Sequence, residues 1–169
     1  MPDTIAGELG EVILARFEPN EDLYLGLKAV AEKHKIRTGV ILTITGGITV
    51  ANLGYFSRSG PVEETKMDYH ELTGPFEASG HGMIGLKEDG EPYLHVHLTV
   101  TCGDTTVCGH LHEGCIVRSL IPTSHFTVFI AKITGAELLT RWDAECRNQF
   151  PKVYPNGAPY HEIKAVPVK

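Results

Sequence analysis

The sequence predicts an α+β domain: a curved antiparallel β-sheet or partial barrel with one main helix packed on it. Three observations carry this. Only one segment has clear helical periodicity, with Leu23, Leu27, Val30, Ala31 and His34 spaced as a single buried stripe. Almost everything after it falls into strand-type segments punctuated by Gly, Pro and Asp/Asn turn signals. The 169 residues, 42% hydrophobic and 21% charged, suit one globular domain with a proper core.

Taken in order, "GEVILARF" reads as a first strand. "PNEDLYLGLKAVAEKHKI" follows as the helix, with Asn20 as N-cap, Glu21 and Asp22 in the first turn, and Gly39 at the exit. "VILTITG" and "ITVANLGYF" are the next strands, separated at Gly46-Gly47. The remaining candidates are "MDYHELTG", "HGMIGLK", "YLHVHLTVT", "TVCGHLH", "CIVRSLI", "FTVFIAKI" and "LLTRWDA". The tail from Arg147 contains Pro151, Pro155, Pro159 and Pro167. It is expected to be an irregular surface wrap with a short strand at "HEIKAV". The domain is therefore placed at residues 1–146, with 147–169 an extension over the domain or a neighbouring subunit.

Composition narrows the function. A net charge of -6 and a pI near 5.8 repel a polyanion unless positive charge gathers on one face. The densest cationic run, Lys28 to Arg37, falls where a helix C-terminus would favour cations anyway. No apolar run nears the roughly 20 residues that cross a bilayer, so no membrane contact is expected. The start of the chain lacks the basic and apolar regions of a secretory signal, which leaves a cytoplasmic location as the expectation. Cys102, Cys108, Cys115 and Cys146 include no CxxC pair and do not suggest a disulfide framework. Nucleophile-elbow and P-loop patterns are absent, and "GGITVANLG" lacks the helix a dinucleotide site needs.

The chemistry concentrates in "YLHVHLTVTCGDTTVCGHLHEG", Tyr93 to Gly114, which holds four of the nine histidines. Strand side chains alternate between faces. Leu94, Val96, Leu98 and Val100 therefore share one face, and His95 and His97 the other. In "TVCGHLH", Val107 and Leu111 flank Gly109 on one side, with Cys108, His110 and His112 opposite. Gly103-Asp104 has the glycine required at the first central position of a type II′ hairpin turn. That turn pairs Cys102 with Thr105, His97 with His110 and His95 with His112. A longer turn would pair His97 with His112, still on the same face, whereas a one-residue slip would set histidines against aliphatics.

Two readings of that face stay open: an ion site, or a polar sheet face whose imidazoles hydrogen-bond or meet solvent. A histidine pair matched across a hairpin favours the ion. Imidazole is a common zinc ligand, and three histidines leave a fourth position open. Cys108 is a further ligand candidate, although small buried cysteine is the commoner role.

"LHVHLTV…VCGHLHEGCIV" resembles the signature of the plant and prokaryote conserved (PPC) domain family, an HxH followed by a GGHL-type segment. "DYHELTGPFEASG" is similar to the family's E-x-L-(S/T)-G segment, and the likeness spans about Gly10 to Asp143. The resemblance implies a homotrimer-forming α+β domain of the stand-alone prokaryotic type. It also implies a DNA-binding or regulatory role, although no "RGRP"-type AT-hook, the DNA contact of plant members, occurs here. The family is structurally akin to acetolactate decarboxylase, in which an HxH pair and a later histidine hold zinc. That pattern implies His95, His97 and His110 as ligands of a divalent metal, zinc foremost. His112 is an added or neighbouring ligand, and Cys108 replaces the first glycine of the family's segment.

An enzyme would also need an acid or base, for which Glu71, Glu113 and His70 are candidates, and Arg118 could hold a carboxylate. His34, His81, His125 and His161 are expected to be ordinary core or surface histidines. The functional expectation is a metal-binding PPC-like protein associated with DNA weakly or through a partner. The alternative is a zinc-dependent lyase or decarboxylase on a small carboxylate, with a small anionic ligand near a subunit boundary.

Overall fold

The computed structural model describes residues 4–57, 66–118, 125–143 and 148–157. Helix α1 covers Leu23–Lys33 and turns Leu23, Leu27 and Ala31 into the core, as its periodicity requires. Its N-cap is Asp22 rather than the expected Asn20. The Asp22 Oδ1 accepts the Leu25 N–H at 3.0 Å. Asn20 instead takes a left-handed conformation (φ 69°) in the preceding turn, which asparagine tolerates better than most residues, and donates its N–H to the Val117 carbonyl at 2.9 Å. The helix stops at His34, and Lys35, also left-handed at φ 51°, redirects the chain.

Nine strands are described: β1 Glu8–Phe17, β2 Gly39–Phe56, β3 Met67–Leu86, β4 Pro92–Cys102, β5 Thr105–Leu111, β6 Ile116–Val117, β7 Phe126–Thr134, β8 Ala136–Asp143 and β9 Asn148–Pro155. They form one curved sheet in the order β1-β7-β2-β5-β4-β3-β8-β9, with β6 beside β2 and a further pairing of β2 with β3. All pairings are antiparallel except a single parallel contact, Leu86 with Leu139. One helix on a curved antiparallel sheet is the predicted fold class.

The two long strands depart from the expected segmentation. Gly46 and Gly47 stay in register with Ala78 and Glu77, so the two segments around them are one 18-residue strand. "MDYHELTG" and "HGMIGLK" likewise belong to the 20-residue β3. Gly74-Pro75 lies at a register shift between Ile48 and Val50, a bulge where proline's missing N–H leaves no ladder bond broken. The tail also differs from the irregular wrap expected of it, because Asn148–Pro155 pairs with β8 along its whole length. "HEIKAV", Cys146 and His161 lie outside the described residues.

The core gathers Leu23 and Leu27 of α1 with Ile41, Ile44, Ile84, Leu98 and Ile130 of the sheet, each 0% exposed. Asp22 binds this helix to the strands that follow. Besides capping α1, its Oδ2 accepts the Gly114 N–H at 2.6 Å, just after β5. Losing a cap alone typically costs about 0.5–2 kcal/mol. Asp22→Ala is expected to lower stability by at least that amount, and Asp22→Asn by less, in denaturant titrations followed by circular dichroism.

Candidate metal centre

The β4–β5 hairpin forms on the predicted register. Gly103 has φ 56° and Asp104 is not left-handed, which identifies a type II′ turn, and Cys102 pairs with Thr105. Val96, Leu98 and Val100 are buried, so the alternation of β4 places His95 and His97 on the opposite face. His97 pairs directly with His110 of β5. The His95 Nε2 lies 3.3 Å from the His97 Nε2 and 3.2 Å from the His110 Nε2. The three ligand atoms all lie within 4.8 Å of one another, and each residue is partly buried.

The expected pairing of His95 with His112 does not form. The β4–β5 ladder ends at His97–His110, and β5 then leans onto β2, where Leu111 pairs with Leu53 and the His112 N–H donates to the Asn52 carbonyl at 3.2 Å. Two glycines permit this lean. A side chain at Gly109 would run into the Gly54 carbonyl oxygen, which lies 2.8 Å from the built Cβ position. A side chain at Gly54 would meet the His112 Nε2 at 2.6 Å. The His112 ring thus packs across Gly54 and against Tyr69, 4.8 Å away, with its Nε2 buried and lacking a hydrogen-bond partner. It borders the same pocket as His95 and His110 but stands outside the converging trio.

Gly54 also fixes His110. The His110 Nδ1 lies 3.3 Å from the Gly54 carbonyl oxygen, which can only accept, so Nδ1 carries the proton and Nε2 keeps its lone pair. Such outer hydrogen bonds orient metal-binding histidines, and losing one typically costs about 10–100-fold in affinity. Gly54→Ala must displace either the His112 ring or the strand, and where the strand moves metal binding is expected to weaken by about that factor. Competition with a chromophoric chelator measures it, and an unchanged affinity would mean that the His112 ring gives way and the strand stays.

The electrostatics suit neutral ligands. Burial, and after it the neighbouring His110 and His97 rings, holds His95 below the usual histidine range. Burial, His110 and His81 do the same for His97. Burial and then His110 lower His112. A depressed pKa means that protons compete with an ion only at more acidic pH. Metal occupancy is expected to persist at about pH 6.5, the ordinary histidine value, and to fall only at more acidic pH, in equilibrium dialysis across that range.

Two of the three nitrogen separations suit a tetrahedral ion. Bonds of about 2.0–2.1 Å require nitrogens about 3.3–3.4 Å apart, close to the two separations measured here. His81 is nearer than its sequence position suggests: it pairs with His97 across β3 and β4, the rings stacked at 6.5 Å. Only the long-range strand order reveals this, because alternation along one strand does not identify its neighbour.

The acid–base candidates lie elsewhere. Glu71 is exposed on β3, opposite Asn52 of β2. His70 is exposed and packs on Tyr55, 4.4 Å between ring centroids. Glu113 sits in the turn after β5, where its carbonyl accepts from the Asn52 Nδ2 at 2.7 Å. Arg118 reaches Glu77 at 3.6 Å beside Gly47. None of the four is among the described residues lining the pocket next to the histidines. Cys108 is exposed and Cys115 is buried, the latter's thiol pushed up to about 11 mainly by burial.

The family profile of the Plants and Prokaryotes Conserved (PCC) domain matches residues 4–134. The chain belongs to this family. A metal-containing protein from Archaeoglobus fulgidus superposes on this PCC domain with a TM-score of 0.76 and 21% identity, covering 89% of this chain and 99% of that one. A plant- and prokaryote-conserved (PPC) protein from Pyrococcus horikoshii gives 0.72 and 24%, covering 89% and 98%. A protein from Ralstonia eutropha JMP134 named a "putative DNA-binding protein" gives 0.64 and 19%, covering 83% and 89%. At these identities the likeness establishes the fold. A comparison with curated proteins returns no match. Among the described residues, no helix is long and apolar enough to cross a membrane.

Proposed function

We propose that this PCC domain is a metal-binding regulatory protein whose His95, His97 and His110 hold a divalent ion, zinc, with one coordination position left for a ligand. The observation that carries this reading is the convergence of three imidazole nitrogens, with the His110 tautomer set by a main-chain oxygen. The metal-containing relative from Archaeoglobus fulgidus supports it. Bound zinc would supply a positive centre that attracts and polarises an anionic ligand. The protein's own part is to hold three neutral histidines in fixed orientation and to border them with an apolar pocket. The test is the metal content of untagged protein after exposure to zinc, cobalt, nickel and manganese in equal amounts. About one zinc per chain is expected, and no stoichiometric metal would refute the reading.

DNA association, supported by the name of the Ralstonia eutropha relative, is assigned to a partner because the chain carries a net charge of -6. The chain alone is expected to give no gel shift at physiological salt, and a tight shift there would place the DNA contact on this chain. We assign it a trimeric assembly, supported by apolar side chains facing outward from the sheet. Val12 and Leu14 of β1 are 45% and 65% exposed, and Leu42 of β2 is 48% exposed. Light scattering should give a mass near three times 18.5 kDa.

A second reading, a zinc-dependent lyase or decarboxylase on a small carboxylate, is favoured by the pocket beside His95 and His110. Its described lining contains no Asp or Glu, so an acid or base there would have to be His112, Tyr24, Tyr93 or Lys87.

A further inference from the structure

We propose that the pocket beside His95 and His110 takes a monoanion with an apolar, aryl-sized body, its charged head at the metal centre. The proposal rests on the metal reading above and adds the class of ligand.

The pocket is a half-open cleft of about 580 Å³, within the range of small-molecule sites and far more than a two- or three-carbon acid would fill. Its walls come from α1, β2, β3, β4, β5 and β9, so no single hairpin defines it. Besides the histidines the walls are largely apolar, with Phe56, Met67, Met83 and Phe150 prominent, and the Phe56 ring stands 6.0 Å from that of His110. Phe56 is 54% exposed and Phe150 42% exposed, leaving aromatic surface that an apolar guest would cover. The two methionines lend a wall that can adapt its shape.

Charge selects the head. Three neutral imidazoles leave a divalent ion its full charge, and the described lining offers no carboxylate to offset it. An anion is therefore favoured at that end. Lys87 is the one Lys or Arg among the described lining residues, too little to accommodate a second or third carboxylate. Tyr24 and Tyr93 add phenolic hydroxyls that can donate to an anionic oxygen. The arrangement is that of a ligand site with largely apolar walls and a few polar groups.

The test is calorimetric titration of zinc-loaded protein, its metal content measured first, with acetate, 3-phenylpropionate, succinate and 3-phenylpropanol. Phenylpropionate is expected to bind more than about tenfold tighter than acetate and than succinate, because its added apolar carbons are buried. Phenylpropanol, which has the body without the charge, should bind more than about tenfold more weakly than phenylpropionate. Zinc removal should weaken phenylpropionate by a similar factor. Phe56→Ser, at an exposed position, should weaken phenylpropionate by a larger factor than acetate. Equal binding of acetate and phenylpropionate by zinc-loaded protein would overturn the apolar body, and tightest binding of succinate would overturn the monoanion. Zinc-independent binding would overturn the placement of the head. In each of these cases the measured zinc would leave the metal reading standing. Absence of zinc in the first measurement would refute the metal reading and this inference with it.

Discussion

Replacing His95 with alanine is expected to weaken zinc binding by more than about a hundredfold, beyond the 10–100-fold typical of losing an outer hydrogen-bond partner. His95 sits at the centre of the trio, its Nε2 within 3.3 Å of one neighbouring nitrogen and 3.2 Å of the other. Two histidines would be left, fewer than the three protein ligands of ordinary catalytic zinc sites. His110→Ala should behave the same way. His112→Ala is expected to stay within about threefold of the parent, because its Nε2 is packed over Gly54 rather than turned to the trio. Chelator competition, with circular dichroism as the folding control, separates these outcomes. A loss in His112→Ala as large as in His95→Ala would make His112 a ligand.

Leu98→Ala is expected to destabilise the domain by about 2–5 kcal/mol, the usual cost of truncating a fully buried leucine. Leu98 is 0% exposed on the inner face of β4, one residue beyond His97, and contributes to the floor beneath the histidine hairpin. For a domain of this length that corresponds to a fall of about 4–20 °C in melting temperature. Zinc should raise the melting temperature of both parent and variant, since an ion that binds only the folded chain stabilises it by mass action. Calorimetry with and without zinc measures both effects. A loss below about 1 kcal/mol would mean that this face of β4 can collapse around the missing atoms.

The hairpin was legible in the sequence because both of its determinants are local. Alternation fixed the faces of Leu94 to Val100, and Gly103-Asp104 fixed the turn and hence the pairing of His97 with His110. The helical stripe was legible for the same reason. What the sequence concealed was set by distant partners. Asn20 and Asp22 are both good caps, and the choice follows from where Val117 and Gly114 lie. Gly46-Gly47 and Gly74-Pro75 look like breaks, yet β2 and β3 hold each other in line through them. His112 shares the alternation of His110, but β5 leans onto β2 just before it, and a local period cannot register that change of partner. His81 reaches His97 only through the order of β3 and β4.

The acceptor that orients His110 is a peptide oxygen, that of Gly54. Every amino acid supplies the same oxygen, so no single replacement at position 54 can delete it. The orientation can be lost only by moving the strand, and a side chain at position 54 would have to displace the His112 ring before it moved the strand. The third ligand's geometry is thus written into the path of β2. Selection can vary the pocket walls to change what is bound while the same main chain keeps the metal's coordination constant.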